Sequence, residues 1–270
     1  ALARRFIKRD FFRLAVLGWI IFFLAALSNW ENTCFINFFA SSAFFADKRL
    51  RIIDEVSDQF GGAGGGGSYE EYRARHINPQ NLAAGVKFIQ AQGVVLSTVS
   101  AHFGVDAHLL AAFAGVETRF GAYTGKMPIG AVLWTIARKV PRRSDWAVRE
   151  IAELLIFAYA EKIEAHALLG SYAGAFGLMQ FMPSSANAYA VDFNGDEWRR
   201  LFEWPDALAS TANYLIMHGY RKEEPYTPAS VIGRSIFAYN RSEYYVRVVL
   251  DMRVELLRVA SATGQRPHGF

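Results

Sequence analysis

Cysteine is almost absent from this sequence: Cys34 is the only one in 270 residues. That excludes an internal disulfide framework and any zinc site built on several cysteines. The stretch Gly61-Gly-Ala-Gly-Gly-Gly-Gly-Ser68 lacks the Gly-Lys-Ser/Thr ending of a phosphate-binding loop, so it reads as a flexible linker. No Gly-x-Ser-x-Gly nucleophile elbow occurs among the serines of 170–185. No sustained alternation of polar and apolar residues marks a strand, and no internal repeat is visible. A general excess of positive charge is missing as well. The formal net charge is +4, yet residues 1–13 hold Arg4, Arg5, Lys8, Arg9 and Arg13 against Asp10 alone. The other 257 residues carry 24 basic and 24 acidic side chains, so no basic face spreads over the body and nucleic acid is excluded as the expected partner.

At 52% hydrophobic and 20% charged residues the chain folds, with length enough for one sizeable core or a core plus a lobe. Behind the basic segment, Leu14 to Leu27 are fourteen residues without a charge. A bilayer span needs roughly 17–25 apolar residues and a signal-peptide core about 7–15. An export signal therefore fits, with Ser41-Ser42-Ala43 as the better cleavage-like site. An uncleaved anchor fits too, because the apolar Phe35-Ile-Asn-Phe-Phe-Ala40 follows. Glu31-Asn32-Thr33 is a poor lipobox, so Cys34 is read as incidental.

Residues 47–60 read as a short amphipathic helix. From Asn81 onward the apolar spacing is helical, as in Leu109, Leu110, Phe113, Val116 and Phe120, or Ile151, Leu154, Leu155 and Ala158. Pro141, Pro183, Pro205, Pro225 and Pro228 punctuate helix starts and loops. The expected class is mainly α.

One carboxylate stands out. Glu117 lies four residues after Phe113 and three before Phe120, on the apolar face of a helix that Gly121 should cap. Desolvation and the negative end of the helix dipole both disfavour its ionised form, as a general acid requires. The alternative is a surface Glu paired with Arg119 or another cation. A second cluster runs from Gly170 to Ser185, where three glycines allow another backbone or a ligand to approach closely. Ser171, with Tyr172 beside it, and Gln180 offer neutral hydrogen bonding suited to a sugar or amide; a tight helix crossing is the other reading. Tyr239-Asn240-Arg241-Ser242-Glu243-Tyr244-Tyr245 combines aromatic and amide groups like those of saccharide grooves, or simply starts a helix. Asp192, Asn194 and Asp196 alternate ahead of Trp198, Glu203 and Asp206, part of a calcium-loop pattern. Glu197 stands where such a loop has Gly, and Arg199-Arg200 add positive charge; a polar loop capping the next helix is the alternative.

With these residues in hand, 76–258 resembles the membrane-bound lytic transglycosylase B family, glycoside hydrolase family 103. The resemblance rests on Ile77-Asn78-Pro79-Gln80, Gly115-Val-Glu-Thr-Arg-Phe-Gly121, Pro141-Arg142-Arg143, Gly170-Ser-x-Ala-Gly-Ala-x-Gly177 and Gln180-Phe-Met-Pro-Ser-Ser185. It continues through Tyr189-Ala-Val-Asp-Phe193, Ala212-Asn-Tyr214, His218-Gly219 and Tyr239-Asn240. The resemblance implies a lysozyme-like helical domain that cleaves the β-1,4 bond between N-acetylmuramic acid and N-acetylglucosamine in peptidoglycan, leaving a 1,6-anhydromuramoyl end. Ordinary glycosidases need two carboxylates. Such an enzyme needs one, because the sugar's C6 hydroxyl attacks; Glu117 would serve as acid and then base. Ser171, Gln180, Tyr214, Tyr239 and Tyr245 fall at substrate positions, with Tyr172 and Asn240 next to them, and Arg142 and Arg143 face the peptide or acidic part of the glycan. Asp192, Asn194, Asp196, Asp206 and the Trp198 carbonyl fall on a structural calcium loop. No cofactor is otherwise required.

The sequence departs from the family in three places. Only eighteen residues, Arg221 to Ala238, separate His218-Gly219-Tyr220 from Tyr239, which implies a reduced accessory lobe. Phe176 replaces the usual Met, and the stretch before His76 does not match convincingly. The expected organisation is a signal or anchor at 1–46 with an N-terminal hydrophobic helix, a short helix and linker at 47–75, and the lysozyme-like domain at 76–270. The setting would be the bacterial periplasm, attached to the membrane through the N-terminal segment, with glycan strands as partner and cell-wall synthesis or envelope complexes as company. Two competing functions are a lysozyme-type hydrolase, which needs a second carboxylate, and an inactive wall-binding scaffold.

Overall fold

The structure, a computed structural model, describes residues 42–61 and 67–262. The expected hydrophobic helix at 14–27, Cys34 and residues 62–66 of the Gly-rich run lie outside these. The chain is mainly α, as its periodicity implies. It divides into two compact units, one formed by the described parts of 1–61 with 127–168 and 172–174, the other by 62–126, 169–171 and 175–270.

The smaller unit is built from α1 (Asp54–Gly61), α5 (Ile129–Lys139) and α6 (Ser144–Ala160), with strand β1 (Met127–Pro128) leading into α5. Val56 of α1 is fully buried with Val132, Ile136, Val140 and Ala147, and Ile53, Phe60 and Trp146 close over them. The Ile53 N–H donates to Thr135 Oγ1 at 2.9 Å. The helix starts at Asp54, later than the periodicity implies, because the Asp47 carboxylate takes the Arg49 backbone N–H and guanidinium and holds that stretch in a turn.

The larger unit holds α2 (Tyr69–His76), α3 (Pro79–Phe103), α4 (Ala107–Thr118), strand β2 (Leu169–Gly170), α7 (Pro183–Tyr189), α8 (Trp204–Met217), α9 (Val231–Tyr239) and α10 (Glu243–Ala262). Local chemistry sets the helix starts. Ser68 and Glu71 form a reciprocal capping box on α2, and Asn78 caps α3 ahead of Pro79. Asp106 caps α4 and also takes the Arg253 guanidinium of α10 at 3.0 and 3.1 Å. Long and apolar enough to cross a membrane by composition, α3 instead packs against α4, α8 and α10. Between Tyr220 and Tyr239 the chain makes only turns and α9, so the short 221–238 segment carries no extra lobe.

The glycine-rich 170–177 stretch is not a helix crossing. Phe176 bridges Gly170 on one side and Phe181 on the other in short antiparallel contacts. Gly125 passes so close to it that a Cβ there would lie 2.0 Å from the Gly170 carbonyl, and its φ is +92°. Replacing Gly125 with Ala adds both a clash and left-handed strain, together about 2 kcal/mol or more. Thermal unfolding should show a melting temperature lower by about 4–8 °C; a drop within 1 °C (roughly 0.3 kcal/mol) would contradict this close approach.

Candidate active site

Every residue of α4 is buried except Glu117. Its side chain keeps a solvent-accessible edge, while the protein around the carboxyl strips it of water and raises its pKa to about 7. A hydrogen bond donated by the Tyr245 hydroxyl to Glu117 Oε1 opposes that rise. A carboxyl poised near neutrality can give a proton and take one back. Pairing with Arg119 does not occur: that guanidinium lies 5.0 Å over the ring of Tyr123.

The end of α4 fixes where this carboxyl points. The helix stops at Arg119 rather than at Gly121, because Arg119 takes the left-handed conformation and its N–H closes onto Ala114 and Gly115. Phe120 then folds back over the helix, its ring resting where a Cβ on Gly115 would be 2.7 Å away. Thr118 Oγ1 donates to the Leu178 carbonyl at 2.8 Å and accepts from the Gly121 N–H at 3.0 Å, which staples the helix end to the glycine-rich segment.

Beneath Glu117, one turn back, Phe113 carries an aromatic wall. Tyr239 lies edge-on to it at 5.0 Å and Tyr245 at 6.2 Å. Tyr239 meets Phe181 at 5.6 Å and Tyr214 at 4.8 Å, and donates to the Met179 carbonyl at 2.6 Å. Tyr214 donates to the Ala238 carbonyl and stacks on His218 at 4.0 Å. Burial, with the Glu117 charge behind it, holds the Tyr239 and Tyr245 phenols well above their ordinary pKa, so both remain proton donors. Asn240 is the exposed residue that ends α9.

Gln180 adopts left-handed backbone with φ 51°. Its Nε2 lies 3.0 Å from the Thr124 carbonyl and 2.9 Å from that of Gly177. Both amide protons are committed to backbone, so the group it can offer a ligand is its carbonyl oxygen. Ser171 closes a small loop, its Oγ accepting from the Ala175 N–H at 3.2 Å.

Arg142, Arg143 and Tyr172 belong to the smaller unit. The two arginines are exposed on a 3-10 turn, Pro141–Arg143. Tyr172 is 48% exposed.

In the loop before α8, one oxygen each of Asp192, Asp196 and Asp206 falls within 4.8 Å of the others. Asp206 is fully buried and accepts from the backbone N–H groups of Phe193 and Arg200. Asp192 takes those of Gly195, Asp196 and Glu197, Asn194 Oδ1 that of Asp196, and Asp196 Oδ1 that of Trp198. Glu197 adopts the positive φ of 74° that a calcium loop ordinarily gives to Gly. Glu203, in the twelfth place, turns toward Arg200 at 3.8 Å, and Arg200 Nε also holds Asp196. An all-oxygen set of three aspartates suits a hard cation such as Ca²⁺.

Two residues near these groups carry no sequence motif. Tyr72 of α2 stands 5.9 Å from Tyr244, its phenol pKa raised first by burial and then by the Glu117 charge. Phe60 of α1 stands 6.1 Å from Tyr172. The only signal for Tyr72 was its place four residues before His76 in a capped helix; for Phe60 there was none.

Comparisons with known proteins fit this arrangement. Residues 51–235 match the family model of the transglycosylase SLT domain. The membrane-bound lytic murein transglycosylase B of Escherichia coli (strain K12) is 36% identical over 185 residues, 67% of this chain and 51% of that protein. The chain thus spans about half the length of that relative. The crystal structure of the soluble lytic transglycosylase SltB1 from Pseudomonas aeruginosa superposes with a TM-score of 0.75 at 27% identity, covering 83% of this chain and 93% of the other. The Escherichia coli lytic transglycosylase Slt35 gives a TM-score of 0.73 at 26% identity, covering 83% and 88%. The helical, lysozyme-like fold is theirs as well, and with the family match running from residue 51 to residue 235 the chain belongs to the transglycosylase SLT domain family.

Proposed function

We propose that this protein is a peptidoglycan lytic transglycosylase that cleaves the β-1,4 bond between N-acetylmuramic acid and N-acetylglucosamine and leaves a 1,6-anhydromuramoyl end. The observation that carries this reading is Glu117. Desolvation and the Tyr245 hydroxyl shape its titration, and among the described residues no second carboxylate perturbs it. A retaining hydrolase places its two carboxyl groups about 5–5.5 Å apart, close enough for each to perturb the other. A lone acid suits a reaction whose nucleophile comes from the substrate.

In the first step Glu117 gives its proton to the glycosidic oxygen as the bond from C1 breaks. The oxocarbenium charge is supported by the substrate's N-acetyl group and by the neutral polar groups around it. The C6 hydroxyl then bonds to C1, and its proton passes to Glu117, which restores the acid. Tyr245 keeps the carboxyl oriented throughout. The Gln180 carbonyl, Ser171, Tyr239, Tyr214 and Asn240 supply substrate contacts, while Arg142, Arg143 and Tyr172 meet the peptide-bearing part of the strand.

Asp192, Asn194, Asp196, Asp206 and the Trp198 carbonyl would hold a calcium ion, whose chemistry there is structural, pinning the loop to the start of α8. Slt35 has been solved in complex with calcium. The apolar leader supports export to the periplasm or anchoring at 1–46, as does the membrane-bound name of the 36% identical relative. The transglycosylase domain expected at 76–270 would also take in α1 from the segment 47–75, since the family match begins at residue 51 and Val56 is buried with Val132 and Ile136; glycan-synthesising or envelope complexes would be its neighbours.

Three experiments test this reading. Digestion of purified sacculi should release muropeptides that mass spectrometry identifies as 1,6-anhydro products, and Glu117→Gln should slow release by about 10²–10⁴-fold. Reducing muramic-acid ends would instead establish a hydrolase. Because protonated Glu117 is the active form, kcat/KM should fall as pH rises through about 7. Tyr245 stabilises the ionised carboxylate, so Tyr245→Phe should move that limb to higher pH; a limb that stays or moves down contradicts the assignment. Calcium at 100 times its dissociation constant should stabilise the fold by about 2.7 kcal/mol, seen as a rise in melting temperature that Asp206→Asn removes. No rise in the parent chain would rule the ion out.

A further inference from the structure

Arg142 and Arg143 have no carboxylate partner among the described residues; what holds them is Phe60. The Arg142 Nη2 donates to the Phe60 carbonyl at 3.0 Å. The Arg143 guanidinium lies over the Phe60 ring at 5.2 Å and over the Trp146 ring at 5.5 Å. The same Phe60 ring stands 6.1 Å from Tyr172. One residue of α1 thus touches both cations and the exposed tyrosine, through its backbone and its ring at once. Phe60 is itself fixed, since it closes over the core in which Val56, one turn earlier, is fully buried.

A carboxylate neighbour would neutralise an arginine and compete with an anionic ligand. An aromatic face and a carbonyl orient the guanidinium while leaving its net charge and most of its five donors for a ligand. We infer that Phe60 is a positioning residue that presents Arg142 and Arg143 to the carboxylates of the peptide carried by the glycan strand. This inference rests on the transglycosylase reading for its substrate. It makes α1, which lies outside the motifs of the chemistry, a determinant of preference between peptide-bearing and peptide-free strands. The residue acts through the arginines and not on the reacting bond, so it should govern binding and leave the chemical step alone.

The test compares the full chain with its Phe60→Ala and Phe60→Tyr variants on two substrates, peptide-bearing glycan and the same glycan stripped of peptide by an amidase. Phe60→Ala should raise KM for the peptide-bearing strand by about three- to five-fold, the equivalent of one exposed cation–π contact. Its kcat, and both constants on stripped glycan, should stay within two-fold (under about 0.4 kcal/mol). Phe60→Tyr keeps the ring and the carbonyl and should restore the parent KM. Equal losses on both substrates, a fall in kcat alone, or no change would each overturn the inference. Binding of the two glycans to Glu117→Gln chains with and without the Phe60 change, followed by calorimetry, separates it from the functional reading. A Phe60-dependent difference there sustains the inference even if the parent releases no anhydro ends, and its absence overturns the inference even if it does.

Discussion

The desolvation of one carboxyl governs the rest of this structure. Helix α4 is buried over eleven of its twelve residues, and the twelfth is an acid. A charged carboxylate in such surroundings is costly unless it is paired or loses its charge. Among the described residues no cation is brought up to it and its polar partner is a phenol, so the group titrates near neutrality instead. A guanidinium in place of the Tyr245 hydroxyl would have pulled the pKa down and left a permanent anion, useless as a proton donor at the pH of the cell.

The supports of Glu117 are correspondingly neutral. Thr118 ties the helix end to the glycine-rich segment, Phe120 packs back on Gly115, and Tyr239 binds the Met179 carbonyl. Charge is kept at the other end of α4, where Asp106 pairs with Arg253 and lashes α10 to the start of the helix. That ion pair sits about 16 Å of helix rise away from the carboxyl, so it fixes the frame with little effect on the acid. The division also explains why α10 can supply Tyr245 at a defined place: it is held to α4 by an ion pair and by its own packed face.

What could be read from residues alone followed from local physics. A single acid on an apolar helical face marks Glu117 whatever the fold around it, and Asn78-Pro79 or Ser68 with Glu71 state helix starts directly. Two points needed the structure to settle them. Gly121 was the natural helix end by composition, but Arg119 pays the left-handed strain itself because Thr118 and Phe120 are pinned by distant partners. The 170–177 segment was ambiguous between a helix crossing and a bridged turn, since the strand of backbone that settles it, at Gly125, lies 45 residues earlier. Tyr72 and Phe60 escaped for the same reason. Their significance lies in what they touch, and nothing in their own neighbourhood of the sequence reports it.

The Tyr245 hydrogen bond also fixes the order in which the protein acquires its chemistry. The tuning partner stands on α10, more than a hundred residues beyond Glu117, so all of these must be synthesised after the acid before its environment exists. A nascent or prematurely ended chain carries the carboxyl in water, ionised at neutral pH and without the phenol that aims it. Acid and tuning partner come from separate helices, so a correctly poised carboxyl arrives only when α10 is in place.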